Sequence, residues 1–236
     1  MPWLIARYLP VGLFSLKDSQ ATSTGGKSLL VPSPFAIRVA LMDAALRAEG
    51  VKQAEAVFRL VQHLKLALRP PAWAAVSGLL VKVLKPKRAD SAKAADRFFQ
   101  KTIAFREYVH WQGELALAFG GEPHTLARVS GWLPHVTYLG KRGGFIQLQA
   151  PPRPTDTLPE SFIPLSDTGL GRQSDVTFRV GLVQRLDDWG PSLTWEKLNI
   201  YSEAKIRPGK DRIAILVSLP YHMDRAGRGF SVYRVS

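Results

Sequence analysis

The stretch TIAFREYVHWQGELALAFGGEPHTLARVSGW, Thr102–Trp132, decides the fold class. Thr102 to Phe119 is rich in β-branched and aromatic residues and reads as two strands around Gln112-Gly113. Glu122 to Trp132 reads as a short helix with Pro123 in its first turn, where a missing N–H costs nothing. Upstream, Trp3 to Leu16 is apolar and reads as a strand, interrupted at Pro10 and Gly12. Lys17 to Ser28 is polar and Ser/Thr/Gly-rich, hence a loop. Ser33-Pro34 opens a helix with Ser33 as N-cap. Phe35, Val39, Met42 and Leu46 repeat at helical spacing, and Gly50 ends the helix. Val51 to Leu68 continues the pattern as a second helix, broken by Arg69-Pro70-Pro71. Trp73 to Leu84 and Ser91 to Lys101 also read as helical, joined by the turn Lys85-Pro86-Lys87-Arg88. Downstream, Thr137 to Leu148 reads as a strand interrupted by Gly140-Lys141-Arg142-Gly143-Gly144. Ala150 to Gly171, rich in Pro, Thr, Ser and Asp, reads as a long loop or linker. Val176 to Leu186, Leu198 to Ile206 and Ile213 to Pro220 are strand candidates, and Phe230 to Val235 would close a sheet edge. The order of strand, helices, strands, helix and strands gives an α+β fold, not an alternating βαβ one.

The chain has 236 residues, 46% of them hydrophobic and 10% aromatic, so an intrinsically disordered chain is excluded. With no Cys there is no disulfide framework, thiolate metal site or Cys nucleophile. That usage fits a reducing, cytoplasmic setting. Met1 to Arg7 lacks the basic then apolar pattern of a signal peptide. No run reaches about 18 apolar residues without a charge, so no membrane span is expected.

The formal net charge is +13, which points to a polyanionic partner. Val51 to Lys101 holds eleven Lys and Arg against three acids, Glu55, Asp90 and Asp96. The densest part contains Lys82, Lys85, Lys87, Arg88, Lys93, Arg97 and Lys101, with Phe98 and Phe99 among them. Cations neutralise phosphates and aromatic rings stack on unpaired bases, so this cluster reads as a nucleic-acid contact. A solvated lysine-rich face would have the same composition. Acidic lipid fits less well, because no amphipathic anchor flanked by Trp accompanies the charge.

Ala21-Thr22-Ser23-Thr24-Gly25-Gly26-Lys27-Ser28 satisfies a loose phosphate-loop pattern. A working phosphate loop needs a helix starting at the Lys-Ser pair. Pro32 and Pro34 follow too soon, and each biases its preceding residue away from helical geometry. Nucleotide hydrolysis is therefore not expected, although Lys27 could still meet an RNA phosphate. Five His residues form no metal-ligand spacing, so neither a metal nor a cofactor is expected. His110, His135 and the nearby Tyr108 are weak candidates for metal-independent RNA cleavage. Gly140-Lys141-Arg142-Gly143-Gly144, framed by Tyr138 and Phe145, places two cations between glycines that allow close backbone approach. Arg228, between Gly227 and Gly229, is a weaker version. A charged turn would account for either string.

Three segments carry a family resemblance. Leu30-Val31-Pro32-Ser33-Pro34-Phe35-Ala36-Ile37 follows a first strand and a polar loop. Arg106-Glu107-Tyr108-Val109-His110 lies in a central strand, and Tyr138-Leu139-Gly140-Lys141-Arg142 leads into another. Together they resemble the RAMP superfamily of CRISPR-associated proteins, specifically the Cas-five group that caps one end of the type I interference complex, Cascade. The resemblance anchors about the first 150 residues. It implies a ferredoxin-like (RRM-like) domain over 1–150 with a basic helical insertion at about 51–101, a linker over 151–171 and a smaller β-rich part over 172–236. It implies binding of the 5′ handle of CRISPR RNA (crRNA), other Cascade subunits as partners (backbone RAMP and large subunits), and target DNA as a further candidate partner. Lys141 and Arg142 carry over as handle contacts, and Arg106, in the central-strand segment, is a further RNA-binding candidate. The Lys82 to Lys101 cluster matches the family's thumb-like projection in character and position only. Two departures stand out. The glycine-rich loop near the C-terminus is reduced to Gly227-Arg228-Gly229, and the helical reading of 51–101 exceeds a simple hairpin thumb. Some family members cleave precursor RNA with a Tyr and an adjacent Lys-His pair, a dipeptide absent here. The rival readings are such an endoribonuclease and a generic RNA- or DNA-binding protein.

Overall fold

The computed structural model describes residues 1–17, 19–21, 25–86, 99–141, 143–165 and 181–236. Its centre is the strand β5 (Leu115–Gly120), LALAFG, in which every residue is buried. Antiparallel neighbours β1 (Trp3–Pro10) and β2 (Lys65–Arg69) flank it. β6 (Ile146–Leu148) and β7 (Arg153–Thr155) pair with successive parts of β1, and β8 (Ile163–Pro164) adds to β2. The order is β6-β1-β5-β2-β8. Between β1 and β2 run α1 (Pro34–Glu49) and α2 (Ala54–His63), and α3 (Pro123–Trp132) follows β5.

Helix α1 starts where its local chemistry demands. The Ser33 hydroxyl accepts from the Ala36 N–H at 3.2 Å, Pro34 occupies the first turn, and Gly50 ends it at φ 89°. Helix α2 buries Ala54, Val57, Phe58 and Val61, one stripe at helical spacing. Glu49 at the end of α1 accepts from Arg128 at 2.6 Å and from the Trp132 indole at 2.7 Å, which fixes α3 against α1.

The second layer is a four-stranded sheet, β11-β12-β3-β4. β3 (Trp73–Pro86) and β4 (Phe99–Gln112) pair over their whole length, from Trp73↔Gln112 to Pro86↔Phe99. β12 (Phe230–Val235) lies between β3 and β11 (Tyr221–Gly227). Trp111 stacks on Phe14 with ring centroids 4.0 Å apart, and its indole donates to the Leu30 carbonyl at 2.7 Å. The sheet thereby packs on the loop after β1. β9 (Leu182–Trp189) and β10 (Arg212–Leu219) form a separate two-stranded ribbon packed on α1, with α4 (Trp195–Leu198) in the connection between them. Among the described residues no helix is long and apolar enough to cross a membrane.

Six sequence expectations need correction. The second helix stops at His63, because Leu64 turns extended and Lys65–Arg69 pairs with the open edge of β5. Trp73 to Leu84 is a strand, not a helix: its apolar residues serve a ladder with β4, and tertiary pairing overrides the local pattern. Of the other helical segment, Phe99, Gln100 and Lys101 are in β4, while 91–98 lie outside the described residues. Trp73–Pro86 and Phe99–Gln112 are therefore the two strands of a long hairpin. Leu198 to Ile206 forms no strand. The segment closes on buried Asp211, which accepts from Lys197 at 2.7 Å and from the Arg207 N–H at 2.8 Å, while Ile200 and Tyr201 face solvent. Finally, Phe230–Val235 is interior, because β11, hidden in the polar string HMDRAG, covers its outer side. Within the Pro/Thr-rich segment expected to be loop or linker, β7 and β8 pair with the main sheet, and Leu165 is fully buried.

Candidate nucleic-acid interface

The loop after β1 is tied at both ends. Leu29 N–H donates to the Leu16 carbonyl at 2.6 Å, and Ser28 N–H donates to Glu107 at 2.7 Å. Ser19 donates its N–H and hydroxyl to the two oxygens of Asp187, at 2.7 and 2.9 Å. Lys27 is exposed beside Ser28. No helix begins at Lys27-Ser28; α1 waits for Pro34, as the proline spacing requires. Residues 22–24 of the phosphate-loop-like string lie outside the described residues.

Lys141 sits in a glycine turn. Gly140 has φ 71° and Gly143 φ 107°, values L side chains rarely adopt. The Gly144 N–H closes the turn on the Lys141 carbonyl at 3.1 Å, and Tyr138 and Phe145 are bridged as strand partners. This turn walls a cavity of about 310 Å³ whose other lining includes Lys17, Ser33, Phe35, Tyr138 and Arg212. Ser33 and Phe35 bring the positive end of α1 to the same space.

The cations here crowd one another. Lys141 is held below the usual lysine range by its partial burial, and further by Arg106 and Lys17. Lys17 is lowered by burial and by Arg106. Arg212 donates to Asp187 at 2.7 Å and stacks on Phe35 at 4.4 Å. Such a cavity disfavours further positive charge and favours an anion with several acceptor oxygens.

The structure thus brings together two sequence candidates, Lys141 and Arg106, and adds Lys17 and Arg212, which no local motif signals. Lys82 and Lys101 lie on one face of the β3–β4 hairpin and Lys85 on the other. Lys87, Arg88, Lys93, Arg97 and Arg142 lie outside the described residues. Arg228 is exposed in the β11–β12 turn, which docks on β3 through Gly78 N–H to the Gly229 carbonyl at 2.8 Å. Tyr108 and His110 lie on the same face of β4, paired with Ser77 and Ala75. His135 is in the turn after α3, where its carbonyl accepts from Arg47. His135 does not line the cavity that His110 lines.

No family model matches the chain. Its fold is that of a CRISPR RNA-guided surveillance complex chain, with a TM-score of 0.50 at 14% identity, covering 92% of this chain and 90% of the other. A crystal structure of a CRISPR protein from Archaeoglobus fulgidus aligns with a TM-score of 0.49 at 11% identity, over all of this chain and 92% of that one. In sequence the chain is similar to the CRISPR-associated protein Cas5 of Archaeoglobus fulgidus, 31% identical over 122 residues. The match takes in 51% of this chain and 52% of the relative, so the chain spans about half the length of the curated relative it matches. The Cas5 group is the one the three sequence motifs resemble.

Proposed function

We propose that the chain is an RNA-binding structural subunit of a type I CRISPR interference (Cascade) complex that holds the 5′ handle of crRNA. The observation that carries this reading is the crowding of Lys141 and Lys17 in a cavity beside a glycine turn, with Arg106, outside its lining, bearing on both lysines. Phosphate oxygens would relieve that crowding, and the glycines let a backbone approach. Two features support the domain reading. The order β6-β1-β5-β2, with helices after β1 and β5, agrees with a ferredoxin-like RAMP unit over 1–150. The long β3–β4 hairpin within it agrees with a thumb, and 172–236 then forms the β-rich remainder. Along the hairpin, Lys82, Lys85 and Lys101, with Lys87, Arg88, Lys93 and Arg97 between its strands in sequence, supply phosphate contacts. Lys27, Arg142 and Arg228 extend them. The hairpin also exposes Leu80 at 75%, Leu84 at 65% and Ile103 at 61%. An apolar strip of this kind suits a neighbouring subunit.

The test is to purify the complex from its host with wild-type protein and with Lys141→Glu and Arg106→Glu, and to sequence the 5′ ends of the bound RNA. Wild type is expected to carry small RNAs with one repeat-derived 5′ end, and the variants to lose most of them. Unchanged retention would count against these residues, and a random RNA population would sink the handle reading.

A further inference from the structure

The outer face of the β11-β12-β3-β4 sheet, which leads along β3 toward Lys85, contributes nothing to the Lys141 cavity at its Trp73 end. Its inner face, with Ala74, Val109 and Trp111 at 2% exposure or less, packs into the core. The outer face is set by the register. Three cross-strand rows are Gly227–Phe230–Ser77–Tyr108, Arg225–Val232–Ala75–His110 and His222–Arg234–Trp73–Gln112. Three aromatic residues, two arginines and two histidines share this face, and none of its twelve paired positions is acidic. The middle of the face is concave: a cavity of about 330 Å³ is lined by Trp73, Ala75, His110, Gln112, Arg225 and Val232. Arg234 covers the Trp73 ring at 5.2 Å. Arg225 pairs through Nε with Asp224, at the β11 bulge, at 3.5 Å. A guanidinium carries five N–H donors, so that pair does not exhaust it.

We propose that this face is a second nucleic-acid site, a platform for an unpaired strand with one base held in the Trp73 cavity. An antiparallel sheet spaces its side chains regularly, so that they can meet successive nucleotides. Aromatic rings stack on bases whatever their identity, arginines meet the phosphates, and Gln112 offers both a donor and an acceptor to a base edge. A duplex hides its base faces and cannot use the cavity. Apart from Asp224 at the bulge, the charged side chains named on this face are cationic, which suits a polyanion. Ribose and deoxyribose strands share the stacking chemistry. The cavity shares no lining residue with the one at Lys141.

The test uses single-stranded RNA and DNA oligomers of about 12 nucleotides, and the corresponding duplex, measured by fluorescence anisotropy in a Lys141→Glu background. Trp73→Ala is expected to weaken single-strand binding by about tenfold, with Trp73→Phe restoring most of it. Arg225→Glu, at an exposed position that does not endanger folding, is expected to weaken binding and lower the salt slope by about one. Halogenated uracil should photo-cross-link to peptides from 73–77, 108–112 or 222–234. A marked preference for one sugar assigns the strand to RNA or to DNA; equal binding assigns recognition to base and phosphate. Loss in Arg225→Glu alone reduces the face to a phosphate contact and overturns the base pocket. Unchanged binding in both variants, a duplex bound as tightly as the single strand, or cross-links confined to other segments overturns the proposal.

Discussion

Arg38 and Asp188 meet at 2.8 Å with side chains only 7% and 10% exposed, joining the middle of α1 to the end of β9. The pair is fully bonded. Arg38 also donates to the Val61 carbonyl at 2.5 Å, and Asp188 accepts from the Trp189 N–H at 2.7 Å. Breaking one half strands a buried charge. Arg38→Met is therefore expected to cost about 3–5 kcal/mol, while Arg38→Met with Asp188→Leu costs much less than the sum of the single changes. Urea denaturation of the four proteins measures the coupling. Additive losses would mean that the pair does not hold the ribbon to the helix.

A different sign applies at Lys141. Its folded value is lowered, by burial first and then by Arg106 and Lys17. The unfolded chain therefore binds that proton more tightly. Stability rises with pH through the lowered value and levels off above the usual lysine value of 10.5. At neutral pH the charged lysine opposes folding, and a bound polyanion removes the opposition. Lys141→Met is expected to raise the low-salt Tm slightly, to flatten the alkaline rise and to weaken RNA retention. The part of that gain due to Arg106 and Lys17 should shrink by about 0.5 M salt, where screening is short-ranged, while the part due to burial persists. A Lys141→Met protein that melts lower at low salt would refute the crowding.

These two clusters mark what the sequence could and could not tell. Both ends of α1 were legible because capping is local: Ser33 and Pro34 at its start and Gly50 at its end act within one turn of themselves. The end of α2 was not. Leu64 and Leu68 continue a helical stripe by spacing, but Leu64 turns extended and the edge of β5, far along the chain, recruits Leu68 into a strand. Trp73–Pro86 failed for the same reason, since its partner is β4. At the site, Arg106 and Lys141 stood out within their own motifs. Lys17 and Arg212 carry no local signature and join them only through the packing of the first loop and of β10. Arg38 carries no local signature either, because its partner Asp188 is distant in sequence.

Acid stability should report on Asp211. Hydrogen bonds from Arg207, then Lys197, hold its carboxyl well below the usual Asp value of 3.8. The charged form is favoured by the fold. Its contribution is complete above the usual value and is lost as pH falls through the lower folded value. Asp211→Asn is expected to melt lower at neutral pH and to show a flatter acid limb than wild type. Melting curves between about pH 2 and pH 6 test this. An acid limb identical to the wild type's would remove Asp211 from the account of the 192–212 segment.

The two glycines beside Lys141 should differ in their tolerance of a side chain. Gly140 has φ 71°, and a Cβ there would collide with Leu16 Cδ2, a buried side chain of the loop that carries Lys17. Gly143 has φ 107°, and a Cβ there would meet nothing within 4 Å, so alanine faces backbone strain alone. Alanine at a left-handed position costs about 1–2 kcal/mol, and the collision adds to that at Gly140. Gly140→Ala is therefore expected to destabilise more than Gly143→Ala. It should also weaken RNA retention beyond its effect on folding, because relief of the clash moves Lys141 away from Lys17. Thermal melts beside RNA retention separate the two effects. Equal losses of RNA in both variants would show that the turn needs flexibility and not the close packing of Gly140 on Leu16.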